Sequence, residues 1–284
     1  MTITGIIVIA ANMSLAMTML CAGMGGLSGD ATYLIRRRGL LARSLLAMAV
    51  LQPAFAVWLC FKFDIRPAAK LAMLAMSISP MPPILPSGLM KVRGARAFEV
   101  SLAFITSLLA IALVPVSLWL FGLVLAAPLR IDLVVATRLA ATSILLPLGV
   151  GFGMRRLSPD TSRRAVTPLT LAAAGLLALV LVALVAQSWR GIRLLFGNGT
   201  VLAVVVLVLV GLVIGHVCGG PARKHRRVLA MATVTRHPAL AIAIATTAFP
   251  NDPLVGVVIV LTVLLAVIAS IPYVPLSRIS LPRM

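Results

Sequence analysis

The chain has 284 residues, of which 61% are hydrophobic and only 11% charged, with a mean hydropathy of +1.14. That balance excludes a soluble globular domain and describes a polytopic membrane protein. The formal net charge of +19 does not imply a nucleic-acid partner, because the basic residues fall in short clusters between apolar segments with no aromatic interleaving. Cys21, Cys60 and Cys218 lie in or beside apolar segments and give neither a disulfide framework nor metal-ligand spacing. The opening residues carry no basic n-region, so the first apolar run reads as a retained helix and not a signal peptide.

In chain order the apolar runs predict nine spans, over 3–24, 40–61, 67–93, 97–125, 132–153, 167–187, 199–218, 227–250 and 254–275. One alternate set of connections, at 36–43, 91–96, 155–164, 223–227 and 278–283, holds seventeen Lys and Arg residues. The other set, at 62–70, 130 and 190–193, holds six. The richer side is expected to be cytoplasmic, which places the N-terminus outside and the C-terminus inside. The expected location is a cell membrane, multi-pass, with a bacterial inner membrane the environment that fits. The basic clusters read first as topology signals, with anionic lipid contact as a secondary effect.

Two spans are interrupted. In the third, Pro80, Pro82, Pro83 and Pro86 fall within seven residues and cannot occupy a regular helix. The apolar runs on either side are too short for two separate spans, which favours one helix broken inside the membrane over a surface loop. In the eighth, Arg236, His237 and Pro238 interrupt an apolar segment. If that helix enters near Arg227, Arg236 lies roughly 14 Å deep at ~1.5 Å per residue, about half of a ~30 Å hydrocarbon core. An arginine there must face protein or a water-filled cavity, and a helix break there must line a cavity or pack against protein. The alternative is a proline-kinked helix whose arginine snorkels to the surface.

The broken spans lie five apart and so enter from opposite sides. Each is followed by a long unbroken span. This predicts inverted-topology repeats, one over about 1–125 and the other over about 161–284, joined by a connecting span at about 126–160 within one transmembrane domain. The two broken helices are expected to cross near the midplane. Pro86 and Pro238 would then open the second half-helices, whose N-termini favour an anion.

Several short stretches together resemble the bile acid:sodium symporter family over nearly the whole chain. They are Gly23-Met24-Gly25-Gly26-Leu27 with Tyr33-Leu34-Ile35-Arg36-Arg37; Gln52-Pro53; Pro80 fourteen residues ahead of Gly94; Ile144-Leu145-Leu146-Pro147-Leu148 through Arg155-Arg156; and Ala239-Leu240-Ala241 through Ala245-Thr246. The resemblance implies a panel domain of spans 1, 5 and 6 and a core domain of spans 2–4 and 7–9. It also implies sodium ions behind the crossing and an organic anion in the panel–core crevice. The chain departs from the implied sodium ligands. Leu85 and Pro86 replace a Ser-Asn pair, Glu99 and Ala103 stand at hydroxyl positions, Met48 replaces a glutamine, and Ala232, Arg236 and His237 replace a glutamate and a Gln-Asn pair. Sodium prefers oxygen ligands, and the side chains of Leu, Pro, Met, Ala and Arg supply none.

The sequence therefore predicts a secondary transporter that moves a small amphipathic organic anion by alternating access, without sodium, cofactor or metal. Arg236, His237 and Arg138 are the candidate substrate contacts, with a packing role for His237 and snorkelling for Arg138 as the alternatives. Glu99 and Arg236 are the candidate pair that replaces the ion by joining span four to span eight. Thr233, Thr235, Ser79 and Ser87 lie near the breaks and are expected to satisfy freed backbone groups. Other classes are a sodium-coupled symporter using backbone ligands, or a non-transporting membrane receptor or structural protein. No acid–base pair, metal motif or Ser/His/Asp set supports an enzyme. The substrate's identity and the oligomeric state are not encoded in any motif. Single cysteines at positions 2 and 282, in a background without the native three, test the topology: position 2 labels from outside intact cells and position 282 does not. Outside labelling of position 282 would contradict the nine-span order.

Overall fold

Every regular element among the described residues is a helix, as expected where no water can satisfy an open backbone. The computed structural model describes residues 3–25, 32–81, 95–125, 138, 141–188, 195, 199–249 and 252–276. Helix α1 spans Ile3–Gly25. Helix α2 (Arg38–Leu45) runs through a π-helical turn at Leu46–Leu51 into α3 (Gln52–Lys62). Helices α4 (Pro67–Ile78) and α5 (Ala95–Leu125) follow. A second π turn at Ala141–Leu145 leads into α6 (Leu146–Leu157), then α7 (Pro159–Ser188), α8 (Thr200–Cys218), α9 (Arg223–Val234), α10 (Pro238–Ala248) and α11 (Pro253–Leu276).

Seven helical stretches among the described residues are long and apolar enough to cross a membrane, and α4 is a shorter apolar helix beside them. The chain is thus an all-α polytopic membrane protein, with helices on the apolar runs read from the sequence. The stretch containing α9 and α10 is almost wholly buried within the protein, whereas α7 is mostly exposed. The broken helix therefore sits at the centre and α7 at the lipid-facing edge. Prolines and caps set the helix starts: Pro67 and Pro238 occupy first-turn positions of α4 and α10, and the Asp252 carboxylate accepts from the Leu254 amide at the head of α11, 2.9 Å away.

Helix α1 packs against α6 and α7, and its opposite face meets α10. Leu15 and Met19 of α1, Leu71 and Ile78 of α4, Ile242 of α10 and Val258 of α11 belong to one apolar core. At the far end of the molecule, the Tyr33 hydroxyl and His225 Nε2 are 2.9 Å apart, and His216 Nδ1 and the Tyr273 hydroxyl 2.7 Å, tying α8 to α11. Glycines allow the tightest helix pairs. A Cβ on Gly23 would strike the Leu148 carbonyl oxygen, and one on Gly151 the Leu20 carbonyl oxygen, so α1 and α6 touch backbone to backbone.

Gly153, on the same helix α6, would place its Cβ in open space. Gly23→Ala and Gly151→Ala should each destabilise by about 1–3 kcal/mol through overpacking, while Gly153→Ala should be neutral or stabilise by up to about 1 kcal/mol. Thermal unfolding in detergent measures all three. Equal stability of the three variants would show that α1 and α6 are not in backbone contact.

Candidate functional site

The site is the place where two helices stop. Helix α4 ends at Ile78, with Ser79 extended. Helix α9 ends at Val234 and α10 begins at Pro238, with Thr235 and His237 extended between them. The two breaks are joined directly, because the His237 amide donates to the Pro80 carbonyl at 2.9 Å. His237 also caps α10: its Nδ1 accepts from the Ala239 amide at 3.3 Å. An accepting Nδ1 leaves the proton of the neutral ring on Nε2.

Arg236 is buried at 6% exposure. Its Nε donates to the Thr233 carbonyl at 2.9 Å, one terminal nitrogen to the Ser79 carbonyl at 3.0 Å and the other to the Met48 carbonyl at 3.0 Å. Each acceptor has lost its ordinary helical donor. The Thr233 carbonyl would take the His237 amide, but that amide is spent on Pro80. The Ser79 carbonyl would take the amide of residue 82 or 83, and both are prolines. In the π turn the Gln52 amide bonds to the Ala47 carbonyl. The next donor for Met48 would be residue 53, again a proline. Buried acceptors without donors are costly, and one guanidinium answers three of them. It ties α9, α4 and the α2–α3 turn together.

The three bonds of Arg236 all go to main-chain carbonyls, and the expected fork onto Glu99 is not among them. Phe98 packs against His225 at 5.2 Å between ring centroids, which puts Glu99 beside the first turn of α9. Arg236 follows that helix's last turn, eleven residues on from His225, or about 16 Å. Three α5 side chains, Thr106, Leu109 and Leu113, line a small cavity with Met48, Ser79 and Arg236. Arg236 borders that cavity while its donors are held by the three carbonyls.

Thr233 and Ser79 send their hydroxyls back to Leu229 and Ala75 carbonyls at 2.7 Å, while Thr235 is half-buried. Arg138 is exposed, with its carbonyl accepting from the Thr142 hydroxyl at 2.9 Å, and is not brought to the crossing. Pro82, Pro83, Leu85, Pro86 and Ser87 lie outside the described residues. Ala103, Ala232 and the Met48 side chain pack into one apolar cluster. Three of the positions that the resemblance assigns to sodium ligands therefore present apolar side chains.

Sequence reasoning missed two groups. The Met48 carbonyl is a main-chain acceptor at a position read only for its side chain. Its signal was the Gln52-Pro53 pair, which removes a donor five residues on. Gln52 itself is buried; its Nε2 donates to the Leu207 carbonyl at 3.3 Å and its Oε1 has no hydrogen-bond partner. Gly211 makes room for that amide, since a Cβ there would collide with it.

The model of the sodium bile acid symporter family matches residues 12–191, which runs from α1 to just beyond α7 and stops short of the Arg236–His237 break. No curated protein matches the chain. The match covers well over half of the sequence and contains the first broken helix and the second π turn with its following proline, so the chain belongs to the sodium bile acid symporter family.

Proposed function

We propose that this membrane transporter moves a small amphipathic organic anion by alternating access and does so without sodium. The observation that carries the reading is the set of three bonds from Arg236 to main-chain carbonyls. A tethered cation there removes the need for a free one. The apolar packing of Ala103, Ala232 and Met48 supports the same conclusion. His237 is the proposed substrate contact: it opens α10 with its Nε2–H as a donor, and the helix N-terminus adds positive potential for a carboxylate or sulfonate.

In this reading the nine spans form two inverted repeats, and a panel of α1, α6 and α7 moves against a core of the remaining helices. The packing of α1 with α6 and α7 and the junction of the two breaks support that division. Arg138, exposed on the connecting span, remains a second candidate for lining the crevice. A sodium-coupled carrier using backbone oxygens is the second reading, favoured only by the unpartnered Gln52 Oε1.

Proteoliposome uptake separates them. Organic acids and steroid conjugates should enter while cationic amines do not, and rates should agree within about twofold when potassium replaces sodium. His237→Ala should raise KM about tenfold, with thermal stability lowered by about 1 kcal/mol for the lost cap and further by the cavity that the ring, 1% exposed, leaves behind. Uptake that collapses without sodium would overturn the ion-free reading. Transport of amines with organic anions ignored would overturn the substrate class.

A further inference from the structure

Two basic segments far apart in sequence meet at one end of the protein. Arg36, Arg37, Arg38 and Arg43 belong to the turn before α2 and its first turns, and all four are exposed. Arg223 and Lys224 open α9 and are exposed and half-buried. The structure pins the two segments together. Tyr33 reaches His225 at 2.9 Å, and the Arg37 guanidinium lies over the Tyr33 ring, 4.3 Å from its centroid. Lys224, Arg37 and Arg43 are all within electrostatic reach of His225. The Arg43 guanidinium lies against Gly220, a residue at φ 75° where a Cβ would collide with it, and Arg226 Nε donates to the Gly220 carbonyl. Glu99, at the start of α5 beside this joint, is buried and offers no surface charge.

The depth of the joint follows from the helices it heads. The apolar stretches Arg38–Lys62 and Arg223–Ala248 both begin there, so the cluster stands where hydrocarbon gives way to headgroups. Topology alone requires basic residues on one side of the membrane; it does not require two segments to be held face to face by ring contacts and hydrogen bonds. Arg37, Arg43 and Lys224 meeting at headgroup depth, with Arg36, Arg38 and Arg223 on the same two segments, match a phosphodiester. We propose that the joint between the starts of α2 and α9 is a binding site for the phosphate headgroup of an anionic phospholipid in the leaflet on that side. The lipid would brace the entry of the broken helix that carries Arg236.

Native mass spectrometry of the purified full-length protein, titrated with phosphatidylglycerol or phosphatidylcholine, tests this. Phosphatidylglycerol should bind at least about tenfold more tightly. Arg37→Gln/Arg38→Gln/Lys224→Gln should abolish that preference. Arg156→Gln/Arg163→Gln/Arg164→Gln, which removes the same charge from exposed sites elsewhere, should keep it. The charge-preserving Arg37→Lys/Arg38→Lys variant should also keep it, and that holds the test open if the first triple does not fold. A preference that survives the first triple, or falls equally in both triples, would overturn the site in favour of diffuse surface charge. So would loss of preference in the Lys variant, or displacement of the lipid by millimolar inorganic phosphate, which would make the site one for a free anion.

Discussion

Three main-chain carbonyls at the crossing have no backbone donor among the described residues, and a single guanidinium holds them. Two of the three, at Ser79 and Thr233, belong to the C-terminal ends of α4 and α9, where helix dipoles add partial negative charge. The third is freed within the π turn of span two. A group placed among them has to be a cation with several donors, and arginine's planar fork supplies both. Beyond the break α10 begins at Pro238, where the His237 ring caps the Ala239 amide. The carbonyl side of the crossing thus favours a cation. In this chain the cation is part of the protein.

Proline placement creates this arrangement. Pro53, Pro82 and Pro83 each remove a donor that a regular helix would have used, and the break before Pro238 turns the His237 amide away from Thr233 to Pro80. The resulting acceptors are buried in a protein whose surroundings offer no water, so they must be satisfied internally. Arg236 loses its hydration on burial and regains it as three hydrogen bonds in fixed directions. Shortening or removing its side chain would leave α9, α4 and the α2–α3 turn without their common tie.

Much of this was legible in the sequence. The apolar runs gave the helices, and the Arg-His-Pro triplet gave the break, because proline and burial of charge are properties of residue identity. The partner of Arg236 was not legible. A search for oppositely charged side chains finds Glu99, whereas the acceptors are carbonyls that every residue carries. Only the absent donors mark them, and the Gln52-Pro53 pair shows that such marks can be read. The neighbours of Glu99 rest on the register of α5 against α9, where Phe98 meets His225. No local pattern encodes that register.

The reading depends on the guanidinium standing where a mobile cation would otherwise be required, and the thermal stability of the purified protein with and without sodium tests that most directly. The wild-type protein should unfold at the same temperature, within about 1 °C, in sodium and in potassium, because an ion that does not bind the native state cannot stabilise it. Arg236→Ala, which strands three buried acceptors, should lose about 3 kcal/mol or more in either salt. A wild-type protein stabilised by several degrees in sodium alone, or an Arg236→Ala variant as stable as the wild type, would contradict the account.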